Sequence, residues 1–279
     1  MPAEDLSSNE MTIAVAQFAG VTDVNANLAT IERLAMQAAR LGAGLMVCPE
    51  AAMFSFSASG AELAQVAERA GSFFEAEVCG IASRTGLTIV AGMYTKGPAE
   101  LSRNTFIVAS AGGEILARYD KLHLYDAFHY RESDKNQPGP LQDQMAELCT
   151  FEVGGLRFGL LNCYDLRFPE MARALVDRDL DALLVGAGWI AGPLKELHWE
   201  TLLRARAIEN TCYVAGSCQP PPLSVGMSML VDPSGLVLGT VADTEGVAVG
   251  TVRRARLAEV REVLPCLKHR RYAIVQRRP

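Results

Sequence analysis

Cysteine motifs, paired histidines and an excess of positive charge are all missing from this sequence. The seven cysteines are scattered, their number is odd and no C-x-x-C occurs, so neither a disulfide framework nor a zinc site is indicated. The four histidines show no spacing typical of metal ligands, and we expect no metal and no cofactor. The acidic start, MPAEDLSSNE, lacks the features of a secretory signal. Together with the cysteine pattern, it predicts a cytoplasmic protein.

Basic residues are outnumbered, with 26 Lys and Arg against 32 Asp and Glu, and the net charge is −6. Such a chain has no overall positive field that would attract nucleic acid or anionic lipid. The one basic cluster, residues 268–278, is interpreted as a solvated end or a subunit contact. The longest uncharged run, residues 210–231, contains three consecutive prolines and predicts no membrane span. We therefore expect neither nucleic acid nor a membrane as a partner.

Short apolar runs alternate with helical patterns along most of the chain. The run TIAVAQF (12–18) is typical of a buried strand, and a helix follows it with an apolar face. Glycine pairs at 112–113 and 154–155 predict hairpin turns between later strands. Helices and hairpins together favour an α/β fold with mixed sheets. No Ser/Gly/Pro-rich linker divides the 279 residues, so we expect a single domain with a core over 11–252 and a C-terminal extension over 253–279.

Three reactive residues follow predicted strands, which is where α/β proteins place their ligands and catalysts. Glu50 follows LMVCP, Lys121 follows EILARYD and Cys163 follows RFGLLN. A thiol nucleophile needs a base, and it also needs a cationic or hydrogen-bonding group that stabilises the oxyanion. A carboxylate and an ammonium group meet these needs. The three residues therefore form a candidate catalytic site.

Four sequence blocks resemble the nitrilase or carbon-nitrogen hydrolase superfamily, whose catalytic set is Glu, Lys and Cys in that chain order. They are LMVCPEAAM around Glu50, RYDKLHLYD around Lys121, LLNCYDLRFPE around Cys163, and RARAIENTCYVAGS from Arg204. The resemblance extends from about residue 12 to residue 252. It implies a four-layer αββα sandwich with mixed β-sheets. It also implies that the chain pairs into a homodimer or a higher homo-oligomer.

The resemblance also implies roles for individual residues. Cys163 attacks an amide carbonyl and forms a thioester, and Glu50 takes the thiol proton and later activates water. Lys121 and the backbone N–H of Tyr164 stabilise the oxyanion. Glu132, in the segment RES, corresponds on a weaker match to a second carboxylate that positions Lys121 and the leaving amine. The segment before it, AFHY, is shorter than the resemblance leads us to expect.

The residues after Cys163, YDLRFPE, look like the Nit branch of the superfamily, the ω-amidases and deaminated-glutathione amidases. This likeness implies that ammonia is released from a small linear, carboxylate-bearing amide. Such a substrate requires a cation besides Lys121, and Arg167 is the candidate, although its place in the segment directly after Cys163 favours fixing the turn there by an ion pair. Trp189, in GAGWIAG, stands where the superfamily lines its pocket.

Parts of the sequence also match other functions. Gly186, Gly188 and Ala191 formally match the dinucleotide motif G-x-G-x-x-G/A, but Pro193 follows at once and the unit lies late in the chain. A non-catalytic binding or assembly protein on the same fold would require a broken triad. Within the superfamily, an N-carbamoyl amide hydrolase and a nitrilase stay open as alternatives.

Overall fold

The computed structural model describes residues 9–98 and 100–277. Its strands are β1 (Glu10–Gln17), β2 (Leu45–Val47), β3 (Thr88–Lys96), β4 (Ser102–Ala109), β5 (Ile115–Asp120), β6 (Asp126–Ala127), β7 (Tyr130–Arg131), β8 (Thr150–Val153), β9 (Leu156–Asn162), β10 (Ala182–Ala187), β11 (Tyr213–Cys218), β12 (Ser228–Val231), β13 (Val237–Val241) and β14 (Gly246–Arg253). Its helices are α1 (Val24–Arg40), α2 (Gly60–Thr85), α3 (Pro169–Val176), α4 (Lys195–Asn210) and α5 (Arg254–Val263).

Two six-stranded mixed sheets form the centre of the molecule. The first has the strand order β14-β1-β2-β3-β4-β5, and the second has the order β13-β12-β11-β10-β9-β8. An apolar core fills the space between the sheets. Helices α1 and α2 pack on the outer face of the first sheet, and α3 and α4 pack beside the second. The predicted four-layer αββα sandwich is confirmed.

Local sequence explains why the first helix begins and lies where it does. Asp23 is the N-cap of α1, and its carboxylate accepts hydrogen bonds from the backbone N–H groups of Asn25 and Ala26. The predicted apolar face is buried against the first sheet: Leu28, Ile31, Leu34, Ala35 and Ala38. The N-cap residue therefore explains where this helix begins, and its apolar face explains which side is buried.

The two sheets approach closely where β10 leads toward the candidate site. A Cβ atom on Gly186 would lie 2.5 Å from the Phe106 ring and 2.7 Å from the backbone oxygen of Cys48. Any larger residue at this position would push the sheets apart, so the glycine sets their spacing.

Helix α5 and the short strands β6 and β7 have no counterpart in the sequence-based expectations. Helix α5 lies in the expected C-terminal extension, and only Leu257 and Val260 of its ten residues are buried. Such a polar helix shows little apolar periodicity. The strands β6 and β7 have two residues each, which is too short to show an alternating apolar pattern in the sequence. In the basic tail, Arg270 forms an ion pair with Asp177, while residues 1–8 of the acidic start and residue 278 of the tail lie outside the described residues.

Among the described residues, no helix combines the length and the apolar character that crossing a bilayer requires.

Candidate active site

Glu50, Lys121 and Cys163 meet in one pocket between the ends of the two sheets. Glu50 lies three residues after β2, Lys121 follows β5 directly, and Cys163 follows β9 directly. The Lys121 Nζ donates to Glu50 Oε1 at 2.7 Å, and both side chains are almost completely buried. The strand ends thus bring together the three residues that sequence reasoning singled out.

Glu132 joins this cluster. Its Oε2 accepts a hydrogen bond from the Lys121 Nζ at 2.7 Å and another from the backbone N–H of Tyr125 at 2.8 Å. The side chain is 7% exposed, so Glu132 is a pocket residue and not an exposed loop glutamate. The one ammonium group of Lys121 therefore lies between two carboxylates.

The protonation states of the cluster follow from burial and these contacts. Burial acts to raise the pKa of Glu50, but the charge of Lys121 and hydrogen bonds from Lys121, the Gly188 N–H and the Cys163 thiol outweigh it, so the net pKa is lowered. Burial acts to lower the pKa of Lys121, but Glu132 and Glu50 raise it well above its ordinary value. Glu50 is thus a carboxylate and Lys121 an ammonium at neutral pH.

Cys163 is a neutral thiol in this environment. Burial and the negative charge of Glu50 raise its pKa well above the ordinary value, and Lys121 offsets them only in part. The thiol shares a hydrogen bond with Glu50. Since the thiolate is the nucleophilic form, the group needs a base beside it, and Glu50 is in place to be that base.

Asn104, on β4, is a site residue that sequence reasoning missed. Its Nδ2 donates to Glu50 Oε1 at 2.7 Å and to Glu132 Oε1 at 3.2 Å. Its Oδ1 accepts from the Nδ2 of Asn162, the residue before Cys163, at 2.9 Å. One amide therefore links both carboxylates to the strand that presents the nucleophile. In sequence, it resembles an ordinary residue at a strand start.

The nucleophile stands on a sharp turn between β9 and α3. Cys163 has φ of 49°, a left-handed conformation that is costly for a residue other than glycine. Asp165, fully buried, stabilises the turn by accepting from the Tyr119 hydroxyl at 2.6 Å and from the backbone N–H of Asn162 at 2.9 Å. The ring Nδ1 of His123 lies 2.8 Å from the same carboxylate.

Aromatic and cationic side chains form the rest of the pocket, which encloses about 500 Å³ including its mouth. The walls include Trp189, predicted to line the pocket, together with Tyr164 and Arg167, predicted to contact the oxyanion and the substrate. The Arg167 guanidinium lies over the Trp189 ring, 4.5 Å from its centroid. The side chain of Trp189 is buried, so it serves both core and pocket.

Lys195 is the second pocket residue that sequence reasoning missed. It is the first residue of α4, a position where a lysine normally points into solvent, yet only 4% of it is exposed. Its Nζ donates to the Tyr125 hydroxyl at 2.8 Å. The only sequence signal is its place six residues after Trp189, in the connection that follows β10.

The glycine-rich segment after β10 does not form a dinucleotide site. A dinucleotide loop runs directly into a helix whose N-terminus meets the phosphates, whereas α4 starts only at Lys195. The N–H of Gly188 donates to Glu50 Oε2 at 2.8 Å and is already used. The segment instead holds the candidate base. Among the described residues, no group of three or more His, Cys, Asp or Glu side chains is placed to hold a metal ion.

Comparison with known proteins identifies the class. The carbon-nitrogen hydrolase family model matches residues 12–262, and the chain belongs to that family. The chain is 34% identical over 267 residues to a deaminated glutathione amidase of Escherichia coli O157:H7, covering 94% of this chain and 98% of that protein. It is 33% identical to the human deaminated glutathione amidase, covering 93% and 82%. The predicted superfamily and its Nit branch are confirmed.

Solved structures agree with the sequence relatives. The C. elegans NitFhit protein superposes with a TM-score of 0.85 at 27% identity, and the match covers 94% of this chain and 65% of that longer one. An amidase from Nesterenkonia sp. superposes with a TM-score of 0.78 at 29% identity, covering 91% and 95%. The predicted enzyme class, a cysteine-dependent amidase, is confirmed at this level.

Proposed function

We propose that this enzyme hydrolyses small linear, carboxylate-bearing amides through a thioester on Cys163. The observation that carries the proposal is the buried cluster in which Glu50 shares contacts with both Lys121 and the Cys163 thiol. The relatives named deaminated glutathione amidase support a substrate of this chemistry. The proposal extends to the residues and steps that follow.

In the first half of the reaction, the Cys163 Sγ bonds to the amide carbonyl carbon while Glu50 takes the thiol proton. The carbonyl oxygen becomes an oxyanion, stabilised by the Lys121 ammonium and the backbone N–H of Tyr164. The proton on Glu50 then passes to the leaving nitrogen. The carbon–nitrogen bond breaks, ammonia or the free amine departs, and a thioester is left.

In the second half, Glu50 takes a proton from water as the water oxygen attacks the thioester carbon. The carbon–sulfur bond breaks, the acid product leaves, and the proton returns to the Cys163 sulfur. Glu132 keeps Lys121 in place, because its carboxylate contacts the ammonium at 2.7 Å, as that of Glu50 does. It also faces the leaving nitrogen.

Amide chemistry suits this site better than nitrile chemistry. Attack on an amide places negative charge on oxygen, where donors of the kind described here stabilise it. Attack on a nitrile develops charge on nitrogen, which requires proton delivery at that atom. Arg167, which faces the pocket, supplies a cation for the carboxylate of the substrate.

A substrate panel tests the proposal. We expect kcat/KM for α-ketoglutaramate, succinamate and deaminated glutathione to exceed that for butyramide and propionitrile, with propionitrile nearly untouched. Release of ammonia, or of the free amine for deaminated glutathione, is the measurement. If butyramide or propionitrile matched all three carboxylates, the substrate assignment would be wrong. A preference for N-carbamoyl compounds would assign the enzyme to that alternative.

The pH profile provides a further prediction. Activity requires ionised Glu50 and protonated Lys121, and their pKa values are lowered and raised respectively, so kcat/KM for the neutral butyramide should be flat from about pH 5 to 9. A rise across the range in which free thiols ionise would show that solvent, and not Glu50, deprotonates Cys163.

Acid unfolding must be separated from loss of the base in this experiment. Because the folded state lowers the pKa of Glu50, the stability that this group contributes is present above its unfolded pKa and is lost as the pH falls through the folded one. Circular dichroism at each pH provides the control.

We also propose a single-domain chain over 1–279 that assembles as a homodimer or a higher homo-oligomer in the cytoplasm. Exposed apolar residues on and beside α4, namely Leu194, Leu197 and Ile208, support a subunit contact. All seven cysteines lie in the described part of the chain and are free, which suits a reducing compartment.

A further inference from the structure

Arg167 and Lys195 are two cations of the pocket that have no anion beside them in the part of the chain that the structure describes. Neither Arg167 nor Lys195 has a carboxylate within 4 Å among residues 9–98 and 100–277. Buried charges are costly unless they are paired, and most buried lysines and arginines have an acidic partner. The pair therefore differs from Lys121, whose charge is matched by Glu50 and Glu132.

The surroundings of Lys195 keep its charge inside the pocket. Its Nζ lies 4.0 Å from the centroid of the Phe128 ring and 5.0 Å from that of Tyr125. Burial and the neighbouring charge of Arg167 lower its pKa, and the Cys163 sulfur is near enough to act on it in the opposite direction. The ammonium group thus lies in the same pocket as the guanidinium and the nucleophile, and their charges act on it.

The guanidinium group of Arg167 is stacked on an aromatic ring, and within the described part of the chain one of its N–H donors is still free to bind a ligand. Its guanidinium lies over Trp189, and its Nη2 is 3.4 Å from the Nδ1 of His198. Its Nε is buried and has no hydrogen-bond partner among the described residues. A carboxylate is planar and could accept a hydrogen bond from this unpaired guanidinium N–H.

The charge balance of the pocket points to an anionic ligand. Its charged lining residues are three cations (Lys121, Arg167, Lys195) and two carboxylates (Glu50, Glu132), which leaves one positive charge in a chain whose net charge is −6. A ligand with one carboxylate would make the site neutral. The proposed mechanism places Glu50 and Glu132 beside the leaving nitrogen, so repulsion assigns the carboxylate to the acyl half of the substrate.

We propose that Lys195 and Arg167 together bind the acyl-side carboxylate of the substrate, and that Lys195 determines specificity for it. This inference rests on the proposed amidase function. Arg167 offers paired donors in one plane, and Lys195 adds a second charge from another element, α4. A neutral amide would leave both cations unpaired in the pocket, and a site with unpaired polar groups rejects such an analogue.

The test compares Lys195→Met, Arg167→Met and the double variant on succinamate and on butyramide, which lacks the carboxylate. Each single change should lower kcat/KM for succinamate by about 10- to 100-fold, mainly through KM, because a charged hydrogen bond is lost. Butyramide hydrolysis should fall by a clearly smaller factor than succinamate hydrolysis, because butyramide has no carboxylate for either cation to bind. The double variant should lose less than the product of the single losses, since both cations hold one anion.

Lys96→Met serves as the matched control, because Lys96 is an exposed lysine paired with Glu68. Binding of succinate, measured by calorimetry, gives a second readout that does not depend on turnover, and it should weaken in Lys195→Met. If Lys195→Met lowered kcat/KM equally for succinamate and butyramide and left succinate binding unchanged, the inference would be overturned while the amidase proposal stood. Absence of any amide hydrolysis by the unaltered enzyme would instead contradict the proposed function itself.

Discussion

Cys163→Ala and Cys163→Ser will abolish amide hydrolysis while leaving the fold intact. Neither side chain supplies a thiolate, and the carboxylate of Glu50 is too weak a base to activate a serine hydroxyl to the same degree. Both replacements are slightly smaller than cysteine or match it, so the buried turn keeps its packing. Release of ammonia from succinamate measures the activity, and thermal unfolding measures the fold.

A second cysteine provides the control. Cys149 is partly buried, lies outside the catalytic pocket and precedes β8, so Cys149→Ala should keep normal kcat. Mass spectrometry of the unaltered enzyme quenched during turnover should show an acyl adduct on Cys163 and on no other cysteine. Turnover by Cys163→Ala near that of the unaltered enzyme would refute the assignment of the nucleophile.

Lys121→Ala will lower kcat by at least roughly 10²-fold, as removal of an oxyanion donor does in other enzymes. The ammonium is positioned to stabilise charge that exists only in the transition state, so KM should change less than kcat. Steady-state kinetics on succinamate provide the measurement. A loss confined to KM would show that Lys121 anchors the substrate and that its proposed role is wrong.

Stability must be followed in the same variant. Removal of Lys121 leaves Glu50 and Glu132 buried side by side without a cation, and breaking a buried ion pair costs roughly 3–5 kcal/mol. Circular dichroism at the assay temperature shows whether the loss of kcat belongs to folded protein. Lys96→Ala, which removes an exposed lysine, should leave both kcat and the melting temperature nearly unchanged.

Sequence reasoning succeeded where a local signal exists. Strand β9 and the hairpin before it are marked by an apolar run and by Gly154 and Gly155, and the reactive Cys163 stands at the strand end where α/β folds expose such residues. Glu50 and Lys121 are marked in the same way. The position of each of these three residues at the end of a strand can therefore be predicted from the sequence alone.

The residues that sequence reasoning missed act across the fold. Asn104 is the third residue of β4 and looks like an ordinary polar residue, because its partners Glu50, Glu132 and Asn162 are 28 to 58 residues away. Lys195 opens a helix, where a lysine is usually exposed. Its burial depends on the approach of the loop that carries Tyr125, which no periodicity encodes.

Neither sheet contains a complete site. Glu50 and Lys121 follow strands of the first sheet, Cys163 and Gly188 follow strands of the second, and the amide pair Asn104 and Asn162 bridges the two. The distance from base to nucleophile is therefore a property of how the layers stack, with Gly186 as the spacer. A shift of one sheet against the other by a fraction of an ångström would separate the base from the nucleophile and stop catalysis while the chain is still folded. Enzyme activity is therefore a sensitive measure of how the two sheets are aligned.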